Sequence, residues 1–311
     1  MPQRSPFVLL LLVSALYWSC AFAHGSSSFC HQDQIVLVST RNYANAIGHV
    51  LDLDSFVGYV CHPNGNCSNQ RVDLFAPHEF VETWVFVHGN QITAEMAIER
   101  GTRVYRSIRA RRCKRGLCRN GPIRFVIYSW PTKRNTIRLI DAAIKTKRTN
   151  TESFYFGDFL SAIAGSGPIN IVGYSFGARV TCGGLHLLHG GCLEGYYLPR
   201  RTLPKTPIRV ALLAPAVEND GILPSGRYER AMFSTDKLLL HNNSRDKALQ
   251  LFWVIDRSRP KALGHTGLKS ALPHCATVQY DWKQTFGIDH SIWKYFDRPV
   301  IVDHILDNFA R

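Results

Sequence analysis

One segment restricts the fold more than any other. It runs Ile169-Asn170-Ile171-Val172-Gly173-Tyr174-Ser175-Phe176-Gly177-Ala178-Arg179: an apolar run, a glycine-serine-glycine turn and a small-residue start to a helix. A serine hydroxyl exposed at the end of a strand needs a sharp, strained turn, and the strand and helix beside it must then approach closely. Glycines two positions before and two after the serine permit that approach. The apolar run does not alternate with polar residues, so it reads as a strand buried on both faces.

Similar runs rich in β-branched and aromatic residues recur at 35–39, 84–88, 124–130, 208–213, 237–240 and 251–255. Helix-like patterns lie between or after them, at 93–109, 152–164, 176–189 and 299–309. Thr93 suits an N-cap and Pro299 a first-turn position. Strands alternating with helices predict an α/β fold with a mostly parallel central sheet and helices on both faces. No repeat, low-complexity tract or linker divides the chain after its first residues, so 24–311 reads as one domain, with 24–79 an N-terminal extension or its first strands.

A serine hydroxyl is a weak nucleophile and needs a base, an acid to orient that base, and donors for the oxyanion that forms. Val87-His88-Gly89-Asn90-Gln91 ends an apolar run in a turn of the kind that presents backbone amides. The N–H of Asn90 or Gln91, with that of Phe176, forms the expected oxyanion hole, and His88 holds the turn. The acid and base are expected after the serine, in that order. Asp246, in the polar loop after the 237–240 run, is the expected acid, with Asp220 its rival; an N-cap role is the plain structural account of Asp246. His290, in a loop before the last helix, is the expected base, with His265 as runner-up. This chemistry needs no metal or cofactor, and the Cys and His spacings form no ligand set.

These residues resemble the α/β-hydrolase superfamily, and within it an exported bacterial branch of serine hydrolases whose functions are largely uncharacterised. The matching pieces are Val87-His88-Gly89, Ser129-Trp130-Pro131, Gly173 to Gly177, Asp246-Lys247-Ala248-Leu249 and Asp289-His290-Ser291. The resemblance spans about residues 80–311. It implies an eight-stranded type of core and acyl-enzyme chemistry on an ester or related acyl substrate, small or lipid-like, with Ser175, Asp246 and His290 as the triad. The contrasting expectation is a secreted module that keeps this fold but only binds a ligand.

The first 23 residues read as a signal peptide: Arg4, an apolar run from Phe7 to Tyr17, then Ala21-Phe22-Ala23 before His24. Export leaves eight of the nine cysteines, an even number that favours disulfides. The spacings suggest Cys61/Cys67, Cys113/Cys118 and Cys182/Cys192, leaving Cys30 with Cys275. The chain is basic, with a net charge of +14, and Arg103, Arg106, Arg109, Arg111, Arg112, Lys114, Arg115 and Arg119 fall in one stretch without an acid. That stretch suggests a solvated basic loop or contact with an anionic surface. Nucleic acid is not expected, because aromatic residues hardly interleave with the charges. Ile137, Ile140 and Ile144 stand at helical spacing and suggest core packing, or a cap over the site.

Overall fold

The computed structural model describes residues 33–43, 58–64, 66–72, 74, 80, 82–132, 138–165, 167–206, 208–254 and 260–309. The expected leader at 1–23 and Cys30 lie outside the described residues. In chain order the elements are β1 (Gln34–Ser39), β2 (Gly58–Cys61), β3 (Cys67–Val72), β4 (Glu82–Val87), α1 (Ala94–Lys114), β5 (Ile123–Ser129), α2 (Arg138–Ala162), β6 (Ile169–Tyr174), α3 (Phe176–Leu188), β7 (Ile208–Leu213), β8 (Thr235–Asn242), α4 (Lys247–Gln250), α5 (Leu263–Thr266), β9 (Ala276–Asp281), α6 (Lys283–Phe286), α7 (Trp293–Phe296) and α8 (Pro299–Phe309).

The strands form one sheet in the order β3-β2-β1-β5-β4-β6-β7-β8-β9. All neighbours from β1 to β9 pair parallel, whereas β2 pairs antiparallel with both β1 and β3. Every residue of β5 and β6 is buried, because helices cover both faces: α1 packs on α8, and α2 on α3. This is the expected α/β arrangement, a mostly parallel central sheet with helices on both faces. From β4 the chain steps one way to β5 and the other way to β6, so the order reverses between β4 and β6. In open parallel sheets the crevice at the carboxyl ends of such a switch point is where ligands bind. Val87-His88 and Tyr174-Ser175 end those two strands.

Several expectations need correction. The sheet has nine strands among the described residues and not eight. The described part of the apolar stretch at 251–255, residues 251–254, is no strand: Asp246 caps α4, and Phe252–Val254 follows as a 3-10 turn with Trp253 and Val254 exposed. A local cap outweighed hydrophobicity there. Helix α2 starts at Arg138, well before residue 152, and Ile144 on it is half exposed, so core packing does not account for that isoleucine. Ile137 and the side chain of Ile140 lie outside the described residues.

The basic stretch is mostly helix α1, not a loop. At least four of its eight cations meet carboxylates: Arg103 with Asp297, Arg111 with Asp303, Arg112 with Glu82, and Arg115 with Asp307. In a parallel β/α unit a helix runs back from the carboxyl end of the sheet, so α1 carries the Cys113–Arg119 end away from Ser175. Among the described residues two disulfides are present, Cys61–Cys67 across the β2–β3 hairpin and Cys113–Cys118 after α1. The expected Cys182–Cys192 bond is absent: Cys182 is a free thiol inside α3, and Cys192 is a free, exposed one beyond that helix. Cys275 is likewise free.

Candidate active site

Ser175 sits at φ 54° and ψ −120°, a strained conformation for a residue with a side chain. The two glycines explain how the turn closes. A methyl at Gly173 would lie 2.9 Å from the Ala178 Cα, and one at Gly177 would run into the carbonyl oxygens of Val87 and His88. The Ser175 amide donates to Leu213 O at 3.0 Å and its carbonyl accepts from the Ala216 amide at 3.1 Å, which lock the turn onto the end of β7. Behind it, Arg179 of α3 pairs with Glu218 at 2.9 Å and donates to Thr149 Oγ1 at 3.2 Å, tying α3 to α2 and to the segment after β7.

Three residues far apart in sequence meet at this turn. Ser175 Oγ lies 2.9 Å from His290 Nε2, and His290 Nδ1 lies 2.6 Å from Asp246 Oδ2. The network assigns the tautomer: Nδ1–H donates to the carboxylate, leaving Nε2 to accept the serine proton. Asp246 is fully buried, and its other oxygen, Oδ1, accepts from the Leu249 amide at 3.0 Å. The capping role and the histidine-orienting position are thus held by the two oxygens of one carboxylate. Neither Asp220 nor His265 joins this chain; His265 lies on α5, and its Nδ1 is buried without a hydrogen-bond partner among the described residues.

The loops holding Asp246 and His290 are joined by residues that the sequence did not single out. Fully buried Asn243 donates from Nδ2 to Gly287 O at 3.0 Å and to Asp289 O at 3.4 Å, while its Oδ1 accepts from the Arg245 amide at 3.1 Å. The Tyr174 hydroxyl donates to the His290 carbonyl. Asn243 stands in a polar run beside Asp246, which offers only a weak cue; no pattern marks Tyr174.

The His88-Gly89 turn presses against the serine, since a methyl at Gly89 would lie 3.1 Å from the Ser175 Cβ. His88 is buried and stacks on Trp130. Its Nδ1–H donates to Gly89 O at 2.8 Å, its Nε2 accepts from the Trp130 amide at 3.2 Å, and Trp130 Nε1 donates to His88 O at 2.8 Å. Burial pushes its pKa down to about 3, so it stays neutral and holds the turn. Gln91 adopts φ 59°, and Phe176 opens α3, where a backbone N–H has no helical carbonyl to bond. The amides of Asn90, Gln91 and Phe176 thus belong to the two turns that flank Ser175. The side chain of Asn90 donates to Asp141 on α2 at 3.4 Å.

No protein-family model and no curated protein matches the chain. Among solved structures it is similar to Esterase B of Lactobacillus rhamnosis, inhibited by a tributyrin phosphonate, at 11% identity over 84% of this chain and 80% of that one, with a TM-score of 0.35. It is also similar to a thermophilic esterase from Thermogutta terrifontis at 10% identity, over 89% and 90% of the two chains, with a TM-score of 0.33.

A second imidazole is also buried. His241, near the end of β8, accepts from Trp282 Nε1 at 2.5 Å and stacks with Tyr280, Trp282 and His304; burial, then the neighbouring His304, lower its pKa to about 3. Unfolding releases His88 and His241 into water, where each takes a proton near pH 6.5. Below that pH the unfolded chain binds protons that the folded chain refuses, until about pH 3. Stability is therefore expected to fall as pH drops below 6.5, by as much as about 1.4 kcal/mol per pH unit for each histidine. Urea midpoints measured from pH 7 to pH 5 check this, and a flat profile would contradict it.

Proposed function

We propose that the protein is an exported serine hydrolase that cleaves carboxylic esters, small or lipid-like, through an acyl-enzyme. The observation that carries this reading is the unbroken hydrogen-bond chain from Ser175 through His290 to Asp246, ending on a strained serine at the sheet's switch point. In this reading His290 removes the serine proton as Oγ attacks the ester carbonyl. The developing oxyanion is bound by the Phe176 amide and that of Asn90 or Gln91. His290 then protonates the leaving alcohol, and in the second half-reaction it activates water to release the acid. Asp246 holds the imidazole tautomer and stabilises its charged form. The two disulfides support export, because such bonds persist in oxidising compartments.

A fluorophosphonate probe tests the proposal directly, since it phosphonylates only an activated serine. Folded protein is expected to be labelled at Ser175 and heat-denatured protein to remain unlabelled. Folded protein that resists the probe would favour a non-catalytic binding module. A series of p-nitrophenyl esters of increasing acyl length, run beside the labelling, would define the acyl preference.

A further inference from the structure

The N-terminal strands match none of the motifs, yet they deliver a charged side chain to the turn opposite Ser175. Strand β1 lies parallel to β5, and Thr40 at its end is held by a backbone bond to Ser129 O at 3.0 Å and by its hydroxyl to Glu152 Oε2 at 2.7 Å. Arg41 follows. Its Nε donates to Ser129 Oγ at 2.8 Å, and its Nη2 donates to the carbonyls of Ile92 at 3.1 Å and Thr93 at 3.2 Å. The same nitrogen lies 3.4 Å from His88 Nε2, the imidazole that fixes Gly89.

These contacts bracket two residues. Upstream, His88 holds the Gly89 carbonyl. Downstream, Thr132 Oγ1 bonds both the amide and the carbonyl of Ile92, and Thr93 caps α1 by accepting from the Met96 amide. Asn90 and Gln91 span the gap, with Gln91 in a left-handed conformation that a side-chain-bearing residue keeps only where its neighbours hold it. Two charge-assisted bonds from one guanidinium nitrogen to consecutive carbonyls, with Nε anchored on Ser129, are a stronger restraint than the neutral bonds beside them.

We propose that Arg41 is a positioning residue: its guanidinium grips the Ile92 and Thr93 carbonyls, so that the Asn90 and Gln91 amides are aimed at the reacting carbonyl before substrate arrives. The inference rests on the serine hydrolase reading. It adds that the N-terminal strands help build the oxyanion site and are not an appendage to it.

The consequence falls on the transition state. Amides that must be reoriented during reaction lose part of the advantage of fixed donors, and one such donor is worth on the order of 10²–10³ in kcat. Arg41→Gln is expected to lower kcat on a p-nitrophenyl ester by roughly 10- to 100-fold, with KM within about twofold. The affinity of a boronate that mimics the tetrahedral adduct should fall by the same factor as kcat/KM. Arg41→Lys, which keeps the charge but loses the Nε anchor on Ser129, should fall between wild type and Arg41→Gln. Amide hydrogen exchange should quicken in the peptide spanning 88–94 and stay unchanged in β6 and α3, which separates a local release from general unfolding.

Folded Arg41→Gln that keeps kcat within twofold would overturn the inference. So would a loss confined to KM, or unchanged exchange at 88–94. Wild-type protein without Ser175-dependent turnover would overturn the hydrolase reading and this inference with it. Ser175-dependent turnover that Arg41→Gln leaves within twofold of wild type would overturn this inference alone.

Discussion

Ser175→Ala is expected to lower ester turnover by on the order of 10⁵-fold or more, because no other group can form the acyl-enzyme. The fold should survive. The serine hydroxyl contributes one hydrogen bond, to an imidazole still partly open to solvent, and alanine at φ 54° carries the same backbone strain as serine. Ser175→Gly separates the two roles of this position. Glycine adopts such backbone angles freely, so this variant should be equally inactive yet melt higher than Ser175→Ala. That ordering would mean that strain at the turn is retained for the placement of Oγ. The check is kcat on p-nitrophenyl esters beside thermal melts of all three proteins. Residual turnover above about one hundredth of wild type would exclude Ser175 as the nucleophile.

What could be read from the sequence divides by how local the cause is. The β6-turn-α3 unit was legible because its constraint is steric and contiguous: Gly173 and Gly177 are required by neighbours that the turn itself brings close. The placement of Asp246 and His290 in polar loops late in the chain was also legible, since both lie in loops at the carboxyl end of the sheet. The contacts between them were not. Asn243 joins the two loops across more than forty residues, and nothing in its neighbours announces that. The same holds for charge: the basic run looked unopposed because its partners stand outside it, Glu82 thirty residues earlier and Asp297, Asp303 and Asp307 nearly two hundred residues later, on and before α8.

Strands were missed where their polarity departs from the buried pattern. β3 reads Cys-Ser-Asn-Gln-Arg-Val, and β9 at the sheet edge is largely exposed, so neither shows the apolar run that marked β4 to β8. Conversely Leu251, Trp253 and Val254 are apolar but exposed, so hydrophobicity alone suggested a strand there. The Cys182 and Cys192 spacing suited a small loop. Helix α3, however, turns Cys182 into the core beside Arg179 and Glu218, while Cys192 lies past the helix end.

Asp246→Asn is expected to lower kcat by roughly 10⁴-fold with little change in stability, and the two oxygens of this carboxylate explain why the effects separate. An asparagine Oδ1 can still accept from the Leu249 amide, so the cap on α4 is kept. Its amide nitrogen then faces His290 Nδ1, a donor opposite a donor. The imidazole escapes that clash by moving its proton to Nε2, the nitrogen that must accept from Ser175. The wrong tautomer, and not a lost fold, accounts for the inactivity. Asp246→Ala removes the cap as well and should also lose about 1 kcal/mol or more of stability. Asp220→Asn, which touches neither His290 nor Ser175, is expected to keep kcat within about twofold of wild type. Paired measurements of kcat and urea midpoint on the three variants test this. A larger kcat loss for Asp220→Asn than for Asp246→Asn would move the acid to the segment after β7, and equal stability losses for Asp246→Asn and Asp246→Ala would exclude the divided role.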